Sequence, residues 1–310
     1  MTIHIAFASD RNFLTCTSVT IASILHYHPS DICFYILHED LSSNDLKSLY
    51  HVINHNGKNC ELIPLNVGRE NWEGFPTTRT LPRSTYFRLN LPRMLPGLEK
   101  VIYMDGDILV LDDIAEVWEM PVENYALAAM SVHSLSSPFQ ELVGRNTFNA
   151  GFLLFNLSYI LKTNGIQRLQ KNVERYRERL ALFDQDLLNL TFCDEHLKLP
   201  LRWNITTGAL AREDENYRTI PEEEYEDAIR HPAIIHFTTR SKPWKFNGKR
   251  RHPFETLYPY FANLANAPFF FRFLLFLKYG LGLNRRFHYT DAMLSNLPII
   301  YETINKIKKS

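Results

Sequence analysis

Cysteine is scarce, with four thiols at positions 16, 33, 60 and 193 in 310 residues. None stands at a CxxC or other metal-binding spacing, and four scattered thiols make no dense disulfide framework. Free thiols suit a reducing compartment, so the chain is expected in the cytoplasm. Net charge is also missing: Lys+Arg and Asp+Glu both number 34, and nothing overall marks a nucleic-acid binder. The opening MTIHIAFASDRNF has no basic stretch followed by an apolar one, which predicts no signal peptide. The longest apolar stretch, Phe269–Leu283, is interrupted by Arg272 and Lys278 and is too short to span a bilayer. Absent motifs narrow the chemistry further. Without G-x-G-x-x-G or G-x-x-x-x-G-K-[ST] there is no dinucleotide fingerprint and no P-loop, and without G-x-S-x-G a serine hydrolase has no local support. His51 and His55 stand four apart but lack the H-E-x-x-H glutamate, so they do not read as zinc ligands.

What is present is the composition of a globular protein, 45% hydrophobic and 22% charged, long enough for one large domain or two modest ones. Apolar runs at Ile3–Ala8, Ile32–Leu37, Leu62–Leu65 and Lys100–Met104 read as strands. Helical patterns lie between them at Asn12–Tyr27, from Ser42 to about Ile53, and at Arg83–Leu91, the last ended by Pro92. Tyr125–Met130, Phe152–Phe155 and Ala233–Phe237 are further strands; Asn164–Leu180 and Asp184–Thr191 are further helices. Strands alternating with helices predict an α/β fold whose mostly parallel sheet is covered by helices on both faces. Residues 213–227 carry eight acidic side chains and read as a solvated loop or surface helix. Composition then shifts. Residues 240–252 hold six Lys or Arg and no acid, and from 272 onward seven basic residues face two acids among many Phe and Leu. A boundary near 250 is expected, with a catalytic unit over 1–250 and a basic, aromatic helical region over 251–310.

The strongest chemical signal is Asp105-Gly106-Asp107 at the end of the buried strand Lys100–Met104. In an extended chain residues i and i+2 share a face roughly 6–7 Å apart. Two such carboxylates can share a hard divalent cation, with the glycine letting a bound group approach the backbone. Charges amid buried strands are paired or hold metals. His236, ending the strand Ala233–Phe237, could complete an Asp/Asp site for Mn²⁺, and Lys242 of Lys242-Pro243-Trp244 could neutralise a metal-bound diphosphate. Ala8, Asp10 and Asn12 follow the first strand, where open α/β sheets bind ligands, and an Asp there could accept the N3–H of a uracil; equally, they could cap the first helix. Asn149-Ala150-Gly151 and Asp184-Gln185-Asp186 read as small polar groups in turns, as a sugar site needs, or as ordinary cap chemistry. Arg88 could anchor a ligand or form a surface salt bridge.

In series, Ala8-Ser9-Asp10-Arg11-Asn12, Ser84-Thr85-Tyr86-Phe87-Arg88-Leu89, Tyr103-Met104-Asp105-Gly106-Asp107, Phe148-Asn149-Ala150-Gly151, Asp184-Gln185-Asp186 and His236…Lys242-Pro243-Trp244 resemble glycosyltransferase family eight, most of all its bacterial lipopolysaccharide glucosyl- and galactosyltransferases. The resemblance covers roughly residues 3–260. It implies a GT-A fold, a UDP-hexose donor, a saccharide or lipid-linked oligosaccharide acceptor, Mn²⁺ (or Mg²⁺) and retention of anomeric configuration. By position it implies Asp105, Asp107 and His236 as metal ligands. Ala8, Asp10 and Asn12 would line the uridine, Lys242 would meet the diphosphate, and Gly106 and Ala150 would belong to the donor-binding site. Arg88, Asn149, Asp184 and Gln185 would surround the donor sugar, the last two at the reacting centre. Two positions depart from the pattern: Thr239 stands where the family has glycine, and Ser131 or His133 where close relatives place an acceptor-binding Asp.

Transfer passes through an oxocarbenium-like state while charge grows on the departing diphosphate. Gln185 is a poor nucleophile, so front-side attack assisted by the leaving phosphate is expected. Phe269–Phe271, Phe273–Phe276 and Tyr279, with Arg272, Lys278, Arg285 and Arg286, read as a segment attached to the cytoplasmic face of the inner leaflet, or as a helix packed on the catalytic domain with its charges solvated. Two other readings compete: a Mg²⁺-dependent phosphatase using Asp105, and a silent UDP-sugar-binding scaffold.

Overall fold

The computed structural model describes residues 1–68, 74–78, 82–131, 139–144, 147–212, 215–218, 220–238, 241–246, 252–281 and 289–309. Thr239, His133, Arg285 and Arg286 lie outside them.

The first apolar run forms β1 (Ile3–Ala8), followed by α1 (Leu14–Tyr27), β2 (Ile32–His38), α2 (Lys47–Asn56) and β3 (Glu61–Asn66). Ser42 and Asp45 cap the turn before α2 reciprocally: Ser42 N and Oγ donate to Asp45 Oδ2, and Asp45 N donates to Ser42 Oγ. After these come β4 (Lys100–Met104), β5 (Ile108–Val110), β6 (Leu127–Ser131) and β7 (Phe148–Asn156). Two helices cover them, α3 (Gly165–Tyr176) and α4 (Asp184–Phe192), before β8 (His196–Lys198), β9 (Ile205–Thr206), α5 (Glu222–Arg230) and β10 (Ile234–His236).

Seven strands make one sheet in the order β3-β2-β1-β4-β7-β6-β8; β5-β10-β9 make a second. In the large sheet β1 pairs parallel with β2 and β4, β2 with β3, and β6 with β8, while β7 runs antiparallel to both its neighbours. Alternation shows that helices cover both faces. Ile102 and Met104 of β4 and Phe152 and Leu154 of β7 enter the core beneath α1; Val101, Tyr103, Leu153 and Phe155 enter the one beneath α3 and α4.

Four local expectations are corrected. Arg83–Asn90 is a 3-10 helix, and Pro92 does not end it but sits in the first turn of Leu91–Met94, where a missing N–H costs nothing. Asp105-Gly106-Asp107 is a turn joining the two sheets, not one extended strand. Asn149-Ala150-Gly151 lies inside β7 rather than in a turn. The helix expected over 164–180 stops at Tyr176 and tightens into a 3-10 turn.

The chain after residue 252 folds back on α1. Phe254, Leu257 and Phe261 join the same apolar core, as do Leu275 of α7 (Phe269–Leu275) and Ile300 of α8 (Asp291–Ile307), with α6 (Tyr258–Leu264) lying against α1. Among the described residues no helix is long and apolar enough to cross a membrane.

Candidate functional site

The two sheets meet at the Asp105–Asp107 turn, and backbone register brings the other groups to it. Phe7 pairs with Met104, so Ala8 ends β1 level with Asp105. Asp105 N donates to Gly151 O at 2.8 Å, which seats β7 opposite. In the second sheet His236 pairs with Ile108, and Phe237 N donates to Asp107 O at 3.0 Å, placing the imidazole beside Asp107. His236 Nε2 lies 3.2 Å from Asp107 Oδ1 and 3.8 Å from Asp105 Oδ2. One ligand atom from each of the three lies within 4.8 Å of the others.

Three features of this cluster fit a hard divalent cation. Asp107 Oδ1 is buried with no hydrogen-bond partner, an orphan that costs free energy unless something binds it. Gly151 leaves room for the other two side chains to converge on Asp107, since a Cβ there would stand 2.1 Å from His236 Cε1 and 2.8 Å from Asp105 Oδ2. Two carboxylates and one imidazole are also a donor set suited to Mn²⁺. Lys242 donates to the other oxygen of Asp107 and to Phe237 O. Burial works to raise the Asp107 pKa, but Lys242 and then His236 outweigh it and hold the carboxyl below its usual range.

The structure places Arg88 inside the protein, only 5% exposed, and not in a surface salt bridge. Its guanidinium donates to Asp105 Oδ1 at 2.8 Å, pairs with Asp184 Oδ2 at 2.9 Å, reaches Ala150 O and lies over the Tyr103 ring at 4.2 Å. Burial opposes its charge, but Asp105 and Asp184 together raise its pKa. Asp184 responds the other way: burial pushes it up to about 7 against the pull of Arg88, whose charge Asp105 shares. Phe183, just before it, holds a left-handed φ of 51°, a strained conformation for an aromatic residue, and this opens α4 on the site.

Gln185 Oε1 accepts from Ala150 N at 3.0 Å and Asn149 Nδ2 at 3.2 Å. Asp186 faces away, accepting from the amides of Ala181 and Leu182. Asp10 Oδ1 accepts from Asn12 N and Phe13 N, which is the cap role expected as the alternative to a base contact. The space over Gly106 is filled by α1, since a Cβ there would meet Thr17 Oγ1 at 2.7 Å; its small size serves packing. Ser131 Oγ is bonded to His196 Nε2 at 3.1 Å. Trp244 packs between Phe13 and Tyr258, ring centroids 6.0 and 5.1 Å away, and so fixes the segment that carries Lys242.

Three residues escaped the sequence reading. Tyr103 donates its hydroxyl to Asp105 Oδ1 at 3.0 Å. Asn204, fully buried, connects His236 to Asn149. Lys278, expected among outward-facing charges, is buried and donates to Pro243 O at 2.6 Å and Lys245 O at 2.9 Å. A lone amide between apolar Trp203 and Ile205 was the one available sign of Asn204.

Comparison with known proteins agrees with this geometry. The profile of Glycosyl transferase family 8 matches residues 4–248. The chain is 24% identical over 265 residues to General stress protein A of Bacillus subtilis, spanning 83% of this chain and 91% of that one. It is 27% identical over 251 residues to the glycosyltransferase GlyF of Streptococcus pneumoniae, spanning 77% of this chain but only 56% of GlyF. Among solved structures, the galactosyltransferase LgtC in complex with donor and acceptor sugar analogues superposes with a TM-score of 0.70 at 25% identity, covering 88% of this chain and all of LgtC. GlyE of Streptococcus pneumoniae shares the fold, with a TM-score of 0.63 at 20% identity over 91% of this chain and 64% of GlyE.

Proposed function

The chain belongs to glycosyl transferase family 8 and has the GT-A-like α/β fold of LgtC, and from that premise we propose that it moves glucose or galactose from a UDP-sugar to a saccharide acceptor with retention. The acceptor is read as part of a surface glycan such as lipopolysaccharide. One observation carries this reading. Asp105, Asp107 and His236 converge where the two sheets meet, with Lys242 on one side and Arg88, Asp184 and Gln185 on the other.

A divalent cation, Mn²⁺ or Mg²⁺, held by Asp105, Asp107 and His236 supplies Lewis-acid stabilisation of the leaving diphosphate. Lys242 adds a fixed positive charge there once it leaves Asp107 for the phosphates. Asp10, with Ala8 and Asn12, receives the uracil at the carboxyl end of β1. Asn149, Gln185 and Asp184 face the hexose, and Arg88 holds Asp105 and Asp184 in place. The bonding supports front-side attack. Double displacement needs a free carboxylate behind the sugar, and here Asp184 is tied to Arg88 and raised towards neutrality, while Asp186 is turned to backbone amides. The Gln185 carbonyl already serves two donors, so its amide nitrogen is the end left to meet a sugar hydroxyl. A phosphatase using Asp105 as nucleophile fits less well, because its Oδ1 is engaged by Arg88 and Tyr103.

We further read the protein as cytoplasmic and peripheral on the inner leaflet. Phe269 and Phe270 are 76% and 68% exposed, with Phe273, Phe276 and Leu281 beside them, an apolar patch suited to a lipid surface and a lipid-linked acceptor.

The test is UDP release from a panel of UDP-sugars, with and without Mn²⁺, in the wild type, Asp105→Asn and His236→Ala. Metal-dependent release from one sugar, lowered at least a hundredfold in both variants, is expected. Tight binding of a UDP-sugar with no release, even with a lipid-extract acceptor added, identifies a silent scaffold instead.

A further inference from the structure

We propose that Asn204 is a positioning residue whose single amide fixes the tautomer of His236 and braces Asn149, the side chain that donates to Gln185. The inference rests on the transferase reading for its second arm only.

Two backbone donors have directions that admit no choice. Gly151 N donates to Asn149 Oδ1 at 3.0 Å, so that end of the Asn149 amide is the oxygen. Asn204 meets the same oxygen at 2.9 Å and must present its NH₂ there. Its other end, facing His236 Nδ1 at 2.9 Å, is therefore the carbonyl, an acceptor only. His236 Nδ1 consequently carries a proton, which makes Nε2 the nitrogen able to offer a lone pair to the pocket between Asp105 and Asp107. On the far side, Ala150 N donates to Gln185 Oε1 at 3.0 Å, which independently fixes Gln185. Asn149 Nδ2 donates to that same oxygen at 3.2 Å and closes the chain. Two amides of β7 thus determine the orientation of three side-chain amides and one imidazole, and Asn204 joins the metal-holding half to the sugar-facing half. It is fully buried, so water does not replace a lost partner.

Two substitutions separate the arms. Asn204→Leu removes both hydrogen bonds, and Mn²⁺ affinity, measured by electron paramagnetic resonance on the full chain without sugar nucleotide, is expected to fall roughly 10- to 100-fold. Asn204→Asp keeps an acceptor for His236 Nδ1 but has no donor for Asn149. It is expected to bind Mn²⁺ within a few-fold of wild type while kcat for UDP release falls and KM changes little. A residue that merely fills space lowers the melting temperature in both variants and leaves metal affinity alone. Folded Asn204→Leu binding Mn²⁺ as the wild type does overturns the proposal. A second measurement leaves Asn204 untouched: with Mg²⁺ bound to ¹⁵N-histidine-labelled protein, the His236 resonances, assigned by comparison with His236→Ala, should show protonated Nδ1 and bare Nε2. The opposite tautomer also overturns it. Wild-type protein that binds Mn²⁺ yet releases no UDP removes the transferase reading and leaves the histidine arm standing.

Discussion

At the residue scale, the site depends as much on what is missing from Gly151 as on the charges around it. Its backbone is ordinary strand, so the glycine is not there for a left-handed φ. What it provides is the volume into which His236 Cε1 and Asp105 Oδ2 project. A methyl at 151 collides with both a ligand ring and a ligand carboxylate, and neither can retreat: the ring is held by Asn204, the carboxylate by Arg88 and Tyr103. Gly151→Ala is therefore expected to fold and yet bind Mn²⁺ at least roughly tenfold more weakly, a loss of about 1.4 kcal/mol or more. Titration with Mn²⁺ alongside a thermal melt checks it; unchanged affinity would show that the ligands take up the methyl by moving together.

At the element scale, most strands and helices were legible because their apolar periodicities were undisturbed: β1, β2, β4 and α4 stand within a residue or so of expectation. That Asp105, Asp107 and His236 come together was legible too, since two acids and a histidine ending buried strands are costly unless something pairs with them. The misses have a common physical origin, contact between segments far apart in sequence. Nothing near Arg88 in the chain announces that Asp184 will neutralise it, and nothing near Asn204 announces Asn149. Lys278 is the sharpest case. Its neighbours made it look like one charge on an amphipathic face, but it pins the segment bearing Lys242 through the carbonyls of Lys242, Pro243 and Lys245, and pairs with buried Glu255 at 3.8 Å. The proposed membrane contact of this stretch is therefore separable from its packing role. Phe269→Ser with Phe270→Ser should lower co-sedimentation with anionic vesicles several-fold and leave UDP release from the UDP-sugar, measured with a soluble acceptor, unchanged. Lys278→Met with Glu255→Gln, which strands no buried charge, should do the reverse, lowering UDP release while vesicle binding persists. Equal vesicle binding by the Phe variant would remove the membrane reading.

At the scale of the whole molecule, two buried groups with opposite linkage shape stability against pH. His252 is buried with Nδ1 unpartnered and Nε2 donating to Ile205 O at 3.0 Å, and burial lowers its pKa from 6.5 to about 3. Between those values the unfolded chain holds a proton that the folded protein refuses, so this residue makes stability fall as pH drops from 6.5, by up to about 1.4 kcal/mol per unit. Asp184 is raised from 3.8 to about 7, so between those values the folded protein holds the extra proton and stability falls as pH rises. The windows overlap from 3.8 to 6.5, where the two contributions oppose each other. In metal-free protein, Asp184→Asn removes one of them and should steepen the loss of stability on acidification below pH 6.5 by about one proton's worth of slope. His252→Phe, its ring packed against Phe237 and Phe254 as the imidazole is, should shift the slope by the same amount in the opposite direction, leaving the Asp184 contribution, which favours the folded state as pH falls, unopposed. Urea unfolding at intervals from pH 4 to 8 measures both slopes. Identical slopes in wild type and Asp184→Asn would mean that Asp184 stays ionised beside Arg88, and the argument against it as a nucleophile would then rest on that ion pair alone.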